Sequence, residues 1–147
     1  MPEEAEERAQ EDKREGKSPS TQAGEFVREE MEHIREGEHG ARSPEQAVAI
    51  GLSKARRAGV ELPPPKKGKK RTKRQAKRDI AKGRTGPHKK PSRARSRATK
   101  GALKRESRRT ASKKALSRRA KQAARQRSAR SRSAAAKKAA RTRKRRR

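Results

Sequence analysis

Apolar residues recur at helical spacing mainly within residues 21–62. Val27, Met31 and Ile34 occupy positions i, i+4 and i+7, with Phe26 beside them, and this spacing predicts an amphipathic helix over residues 23–36. Glycines at positions 37 and 40 then indicate the end of that helix.

A second helix is predicted over residues 44–58, where Val48, Leu52 and Ala55 repeat the same spacing and Ile50 flanks them. The two helices form a hairpin whose shared apolar face we expect to consist of seven side chains. They are Phe26, Val27, Met31, Ile34, Val48, Ile50 and Leu52.

The ends of the second helix carry local signals. Ser43 is a favoured N-cap, Pro44 suits the first helical position, and Gln46 can complete a capping box. Gly59 can adopt the left-handed conformation that ends a helix, after which Val60 or Leu62 can fold back onto the last turn. The sequence therefore predicts where this helix begins and ends, but does not show that the helix is stable.

Composition argues against a larger fold. Hydrophobic residues make up 25% of the 147 positions, aromatic residues 1% and charged residues 44%. Such a chain buries too little apolar surface to offset the entropy of ordering its backbone. We therefore expect a mostly disordered chain with a small all-α helical hairpin, which is marginal unless self-association or a partner stabilises it.

Charge divides the sequence into four segments. Residues 1–62 hold 15 acidic and 10 basic side chains, whereas residues 63–147 hold 2 acidic and 38 basic ones. This partition predicts an acidic disordered tail (1–20), the hairpin (21–62), a proline spacer (63–65) and a basic low-complexity tail (66–147). The acidic tail is either a solvated segment or an internal mimic of nucleic acid that competes for the basic tail.

The basic tail is suited to bind phosphate. Lys and Arg displace the counterions condensed on nucleic acid, and full engagement of the tail would neutralise about 36 phosphates, or roughly 18 base pairs. Like-charge repulsion opposes helix in the free tail, so we expect tail helices to form on binding. The residues predicted to contact phosphates are Lys66, Lys67, Lys69, Lys70, Arg71, Lys73, Arg74, Lys89, Lys90, Arg118, Arg119, Lys137, Lys138, Arg141, Arg143, Lys144, Arg145, Arg146 and Arg147.

Sequence-specific recognition is not indicated. The tail has no aromatic residue on which bases could stack, and Asn, a common adenine reader, is absent from the chain. The leading hypothesis is therefore non-sequence-specific binding and compaction of nucleic acid, DNA rather than RNA, by a cytoplasmic, nucleoid-associated protein. The alternatives are an RNA- or ribosome-associated protein, and an adaptor whose hairpin binds a protein partner.

Enzymatic chemistry is not expected. The chain has no cysteine, no apolar run long enough for a membrane span, no phosphate-cradling glycine motif and no evident pairing of a nucleophile with a base. His33, Glu36 and His39 are close in sequence, but we interpret them as a polar helix end rather than a metal site. Neither a cofactor nor a metal is predicted.

Residues 21–62 resemble a family of short bacterial proteins of uncharacterised function. The resemblance rests on Met31-Glu32-His33 with the following Gly37, and on Gln46-Ala47-Val48-Ala49-Ile50-Gly51-Leu52-Ser53-Lys54-Ala55. It implies a bacterial origin and no particular activity. Separately, the tail is similar in composition to the Lys/Ala-rich tails of linker histones and bacterial histone-like proteins.

Overall fold

The computed structural model describes residues 2–86 and 92–145, in which the regular structure is helical and no strand occurs. The chain divides into two compact units, Met1–Ser112 and Lys113–Arg147. The helices are α1 (Pro2–Arg14), α2 (Pro19–Glu36), α3 (Pro44–Arg57), α4 (Lys70–Arg84), α5 (Arg93–Lys104), a 3₁₀ helix (Arg108–Ala111), α6 (Lys113–Arg125) and α7 (Ala129–Arg145).

The two helices predicted from the apolar pattern are present as α2 and α3. Ser43 caps α3 by accepting a hydrogen bond from the Gln46 amide, and the Gln46 side chain accepts one from the Arg42 amide. Gly37 ends α2 in the left-handed region, with φ of 88°. α2 begins at Pro19, earlier than expected, because Ser18 caps it and proline suits its first position.

The end of α3 is closed by the fold-back that Gly59 permits. Gly59 has φ of 91°, and the Val60 amide donates to the Ala55 carbonyl over 3.0 Å. Val60 thereby enters the core. Arg56 donates to the carbonyls of Leu62 and Pro63, over 3.2 and 3.3 Å, and holds the beginning of the proline segment against α3.

The core of the first unit lies where α1, α2 and α3 meet. Of the seven expected packing residues, Phe26, Met31 and Ile34 are buried, and Val27, Val48, Ile50 and Leu52 are half-buried. A cluster of mostly small residues joins the three helices, and Leu52 and Leu62 pack against it. The members of this cluster are Ala5, Ala9, Ala23, Phe26, Ala55 and Val60.

The expectation that residues 1–20 are disordered is wrong. α1 packs on α2 through Ala5 and Ala9, which are 0% and 4% exposed, and Arg8 Nε lies 2.8 Å from Glu25 Oε2. Alanine side chains are short, so two of them one turn apart allow two helices to approach closely. A count of large apolar side chains overlooks this kind of contact.

The expectation of a mostly disordered chain is also wrong for the basic tail, so the chain is neither intrinsically disordered nor only a hairpin. α4 packs on α3, and four further helical segments follow it. Ala, Lys and Arg have high intrinsic helix propensity, and in α4 a buried anchor adds to that propensity. These contributions outweigh the like-charge repulsion that predicted coil.

Candidate nucleic-acid interface

Asp79 anchors the basic helix α4 to α3. Its carboxylate is almost completely buried and accepts hydrogen bonds from Ser53 Oγ at 2.7 Å, Arg57 Nε at 2.8 Å and Gln75 Nε2 at 3.1 Å. Ala76, one turn earlier, is also buried. Asp79 and Ala76 therefore fix which side of α4 faces the protein.

The environment of Asp79 favours its ionised form. Burial alone would raise the pKa of the Asp79 carboxyl group. The hydrogen bonds from Ser53 and Arg57, the positive charge of Arg57 and the hydrogen bond from Gln75 outweigh burial and hold this pKa below its ordinary value. α4 is consequently attached through a charged group that remains negative at neutral pH.

The C-terminal end of α4 touches α3 directly through backbone. A Cβ atom added to Gly83 would lie 2.1 Å from the Arg56 carbonyl oxygen, so only glycine fits there. The neighbouring Arg56 side chain is buried, and this desolvation lowers the pKa of its guanidinium. The close approach and the Asp79 anchor are about one helical turn apart, and together they fix the orientation of α4.

With that side attached, the remaining surface of α4 is cationic. Seven basic residues of the helix are exposed and an eighth, Lys73, is half-buried. Three lysines in the segment before the helix are exposed as well. The exposed residues of the two groups are Lys66, Lys67, Lys69, Lys70, Arg71, Arg74, Lys77, Arg78, Lys82 and Arg84.

The second acidic residue after position 63 is also paired with the hairpin. Glu106 Oε1 lies 3.5 Å from Arg42 Nη2 in the loop between α2 and α3. Two backbone hydrogen bonds hold the same region: the amides of Gly40 and Ala41 donate to the carbonyls of Leu103 and Ser107. Both acidic residues of the C-terminal segment are thus engaged with arginines of the hairpin.

Further cations lie on α5 and in the second unit. In the described part of α7, residues 129–145, no side chain is buried; this span holds eight basic residues and no acidic one. Arg132 Nη1 donates to the carbonyls of Ala124 and Arg127 and so joins α6 to α7. One groove along α7 is lined by Lys137, Lys138, Arg141 and Arg145 together with Ala134 and Thr142.

The residues predicted to contact phosphates differ in their exposure to solvent. Most are exposed, including Arg118, Arg143 and Lys144, whereas Lys73 and Arg119 are half-buried. Lys89, Lys90, Arg146 and Arg147 lie outside the described residues. The sequence prediction omitted four exposed basic residues of α4. The helical spacing of Ala76, Ile80 and Gly83 could have revealed them, because it marks the side of α4 that faces the protein and leaves the opposite side to solvent. The omitted residues are Lys77, Arg78, Lys82 and Arg84.

One cluster of side chains has the composition of a metal site. Glu30, His33 and His39 each offer one ligand atom, and these atoms lie within 4.8 Å of one another. The sequence had placed Glu36 with the two histidines. Glu30 takes that place because it lies one turn before His33 on the buried side of α2, whereas Glu36 is exposed.

Comparison with known proteins does not identify the chain: no protein-family model, curated protein or solved structure matches it. The resemblance of residues 21–62 to a bacterial family therefore stays a prediction. Among the helices in residues 2–86 and 92–145, none combines the length and the apolar character that crossing a bilayer requires.

Proposed function

We propose that the protein binds nucleic acid without sequence specificity, through contacts between its Lys/Arg side chains and the phosphate backbone. The observation that carries the proposal is the arrangement of charge after position 63. Asp79 and Glu106, the two acidic residues of this segment, pair with arginines of the hairpin. In the described part of the segment, the exposed charged side chains are therefore all basic, which favours a polyanionic partner.

The helical order of the basic segment supports this proposal more strongly than a flexible tail would. Cations fixed on a helix lose less conformational entropy on binding than cations on a disordered chain, so more of their interaction with phosphate appears as affinity. α4 presents Arg71, Arg74, Lys77 and Arg78 within about two turns of a helix that rises about 1.5 Å per residue. These four cations amount to one charge per about 3 Å of helix. This is close to the phosphate spacing along one strand of duplex DNA, about 3.4 Å of axis.

A duplex is the favoured form of the ligand, and DNA the favoured duplex. Proteins that bind single strands stack the bases on aromatic rings, and Phe26, the one aromatic residue, is buried in the hairpin core. Two separately folded basic units on one chain also provide two regions for phosphate contact. This arrangement supports the proposal that the protein also compacts DNA, with each unit contacting a different segment of duplex.

The test compares two double variants of the full chain. Replacing Arg71 and Lys77 with Gln removes two exposed cations of α4. Replacing Lys13 and Arg28 with Gln removes one exposed cation from α1 and one from α2, the two acidic helices. We expect the first variant to bind duplex DNA more weakly and to lower the slope of log K against log salt by roughly 2, about 0.9 per lost contact. We expect the second variant to bind like the original chain.

Equal binding by the two variants, or binding that does not depend on salt, would refute the proposal. Duplex RNA and single-stranded DNA are measured at the same salt concentrations. Preference for duplex RNA would favour the ribosome-associated alternative. The absence of binding to every nucleic acid would favour the adaptor alternative.

A further inference from the structure

We propose that Glu30, His33 and His39 form a Zn²⁺ site at the C-terminal end of α2. The site is independent of the proposed nucleic-acid interface, since its ligands lie on α2 and on the loop that follows it. Two imidazoles and one carboxylate constitute a common zinc ligand set, with a fourth position left for water.

The first argument concerns Glu30. Its side chain is 0% exposed, and neither carboxylate oxygen accepts a hydrogen bond of good geometry from the described residues. Lys54 Nζ and His39 Nε2 lie within ion-pair distance, at 2.7 Å from Oε2 and 3.3 Å from Oε1. A buried carboxylate with incomplete hydrogen bonding is stabilised by a further positive charge close to its oxygens, which a bound metal ion would supply.

The second argument concerns the ring of His39. Its Nδ1 lies 3.1 Å from the carbonyl oxygen of Gly40, so Nδ1 carries the proton and donates it to that carbonyl. In the neutral ring, Nε2 then directs its lone pair at Glu30 Oε1, 3.3 Å away. Two lone pairs at this distance repel each other unless a cation lies between them.

A backbone carbonyl that receives the second ring proton is also the usual support of a zinc-bound histidine, because it fixes the tautomer and the ring orientation. The backbone of Gly40 is itself held in place. Its amide donates to the Leu103 carbonyl over 2.8 Å, and an added Cβ would lie 2.0 Å from the Glu106 carbonyl oxygen. The position of His39 is therefore determined by packing on both sides of the loop.

One distance in the cluster equals the separation expected between two zinc ligands. Two atoms that each lie about 2.0 Å from a tetrahedral metal are separated by about 3.3 Å, which is the distance between Glu30 Oε1 and His39 Nε2. A bridging proton would explain these two atoms alone. The cluster also contains His33, one ring nitrogen of which lies within 4.8 Å of a ligand atom on Glu30 and of one on His39.

His33 is placed by helix geometry and supported by a second acidic group. It follows Glu30 by three residues, so the two side chains lie on the same face of α2. Its Nδ1 lies 3.9 Å from Glu38 Oε2, a carboxylate in the position of an outer support. Lys54 is 39% exposed, and its ammonium group can move into solvent when a metal takes over the charge of Glu30.

The experiment titrates the full chain, without a histidine tag and free of nucleic acid, with Co²⁺ and Zn²⁺. Co²⁺ in a tetrahedral site of this kind absorbs strongly in the visible range, where the protein does not absorb. Zn²⁺ affinity is measured by competition with a chromogenic chelator. We expect one equivalent to bind, and we expect Glu30→Gln, His33→Gln and His39→Gln each to weaken Zn²⁺ binding on the order of 100-fold.

His88→Gln is the matched control, since it removes the third histidine of the chain, and we expect it to bind like the original protein. Equal Zn²⁺ affinity of the original chain and His39→Gln, or a weak octahedral Co²⁺ spectrum, would overturn the proposal. Far-UV circular dichroism establishes that each variant is folded. If a ligand variant does not fold, Lys54→Met provides the test instead. Removing the ammonium group that competes for Glu30 should raise Zn²⁺ affinity by roughly tenfold if the site exists. An unchanged affinity would refute the site.

Discussion

Arg57 Nε lies 2.8 Å from Asp79 Oδ1, and this ion pair connects the α3 helix of the hairpin to the basic helix α4. The carboxylate is almost completely buried, whereas the Arg57 side chain is about half exposed. A single acidic residue within a strongly basic helix thus determines which side of that helix faces the protein and which side remains available to a ligand.

Replacing Asp79 with Asn should lower the free energy of unfolding by about 2 kcal/mol, because the hydrogen bonds from Ser53 and Arg57 lose their charged acceptor. Urea denaturation followed by far-UV circular dichroism measures the change. Glu7→Gln alters an exposed carboxylate and should remain within about 0.5 kcal/mol of the original chain. Equal destabilisation by the two substitutions would contradict the anchoring role of Asp79.

Acidification should weaken the attachment of α4. The pKa of Asp79 in the folded protein lies below its ordinary value of 3.8, so the ionised carboxylate contributes stability above that value and the contribution is lost as pH falls through the folded pKa. The difference in unfolding free energy between the original chain and Asp79→Asn should therefore be constant near neutrality and shrink below about pH 4. If the difference in unfolding free energy grew on acidification, the pKa of Asp79 would be raised rather than lowered in the folded protein.

Two glycines of the hairpin should respond to alanine in opposite directions. A Cβ added to Gly51 in α3 would lie 2.7 Å from the Val27 Cα, so Gly51→Ala should destabilise the protein by about 1–3 kcal/mol. Gly24 in α2 has open space around its Cβ position, and Gly24→Ala should stabilise by about 0.5–1 kcal/mol. Thermal unfolding of both variants tests the close crossing of α2 and α3; stabilisation by Gly51→Ala would argue against it.

Ending the chain after Ser112 should leave the first unit folded. The truncation removes 17 basic residues and no acidic ones, and it lies at the boundary between the two compact units. We expect cooperative thermal unfolding to persist, whereas duplex DNA binding becomes weaker and less dependent on salt because fewer phosphates are contacted. Loss of cooperative unfolding would show that the first unit depends on residues 113–147.

The sequence was sufficient to predict α2 and α3, because their ends carry strong local signals. The Ser43 cap and the left-handed Gly37 and Gly59 act within a few residues of themselves, so their effect is readable without tertiary structure. The same holds for the approximate extent of the cationic surface, which depends on composition alone.

What the sequence did not reveal depends on contacts between distant positions. The packing of Ala5 and Ala9 on α2 adds little to any count of apolar residues, and the pairing of Asp79 with Ser53 spans 26 residues. The metal-site candidate shows the same limit, since helical spacing places His33 near both Glu30 and Glu36, and burial alone distinguishes the two carboxylates. The prediction of disorder was wrong because it weighed large apolar side chains against backbone entropy and like-charge repulsion, and omitted both the alanine contacts and the buried Asp79 ion pair.

The attachment of α4 through Asp79 has a thermodynamic consequence for the acidic half of the molecule. A ligand that binds only the folded form stabilises every part that unfolds with it. A polyanion on the outer side of α4 would therefore raise the melting temperature of α1, α2 and α3, although their own negative charges repel it.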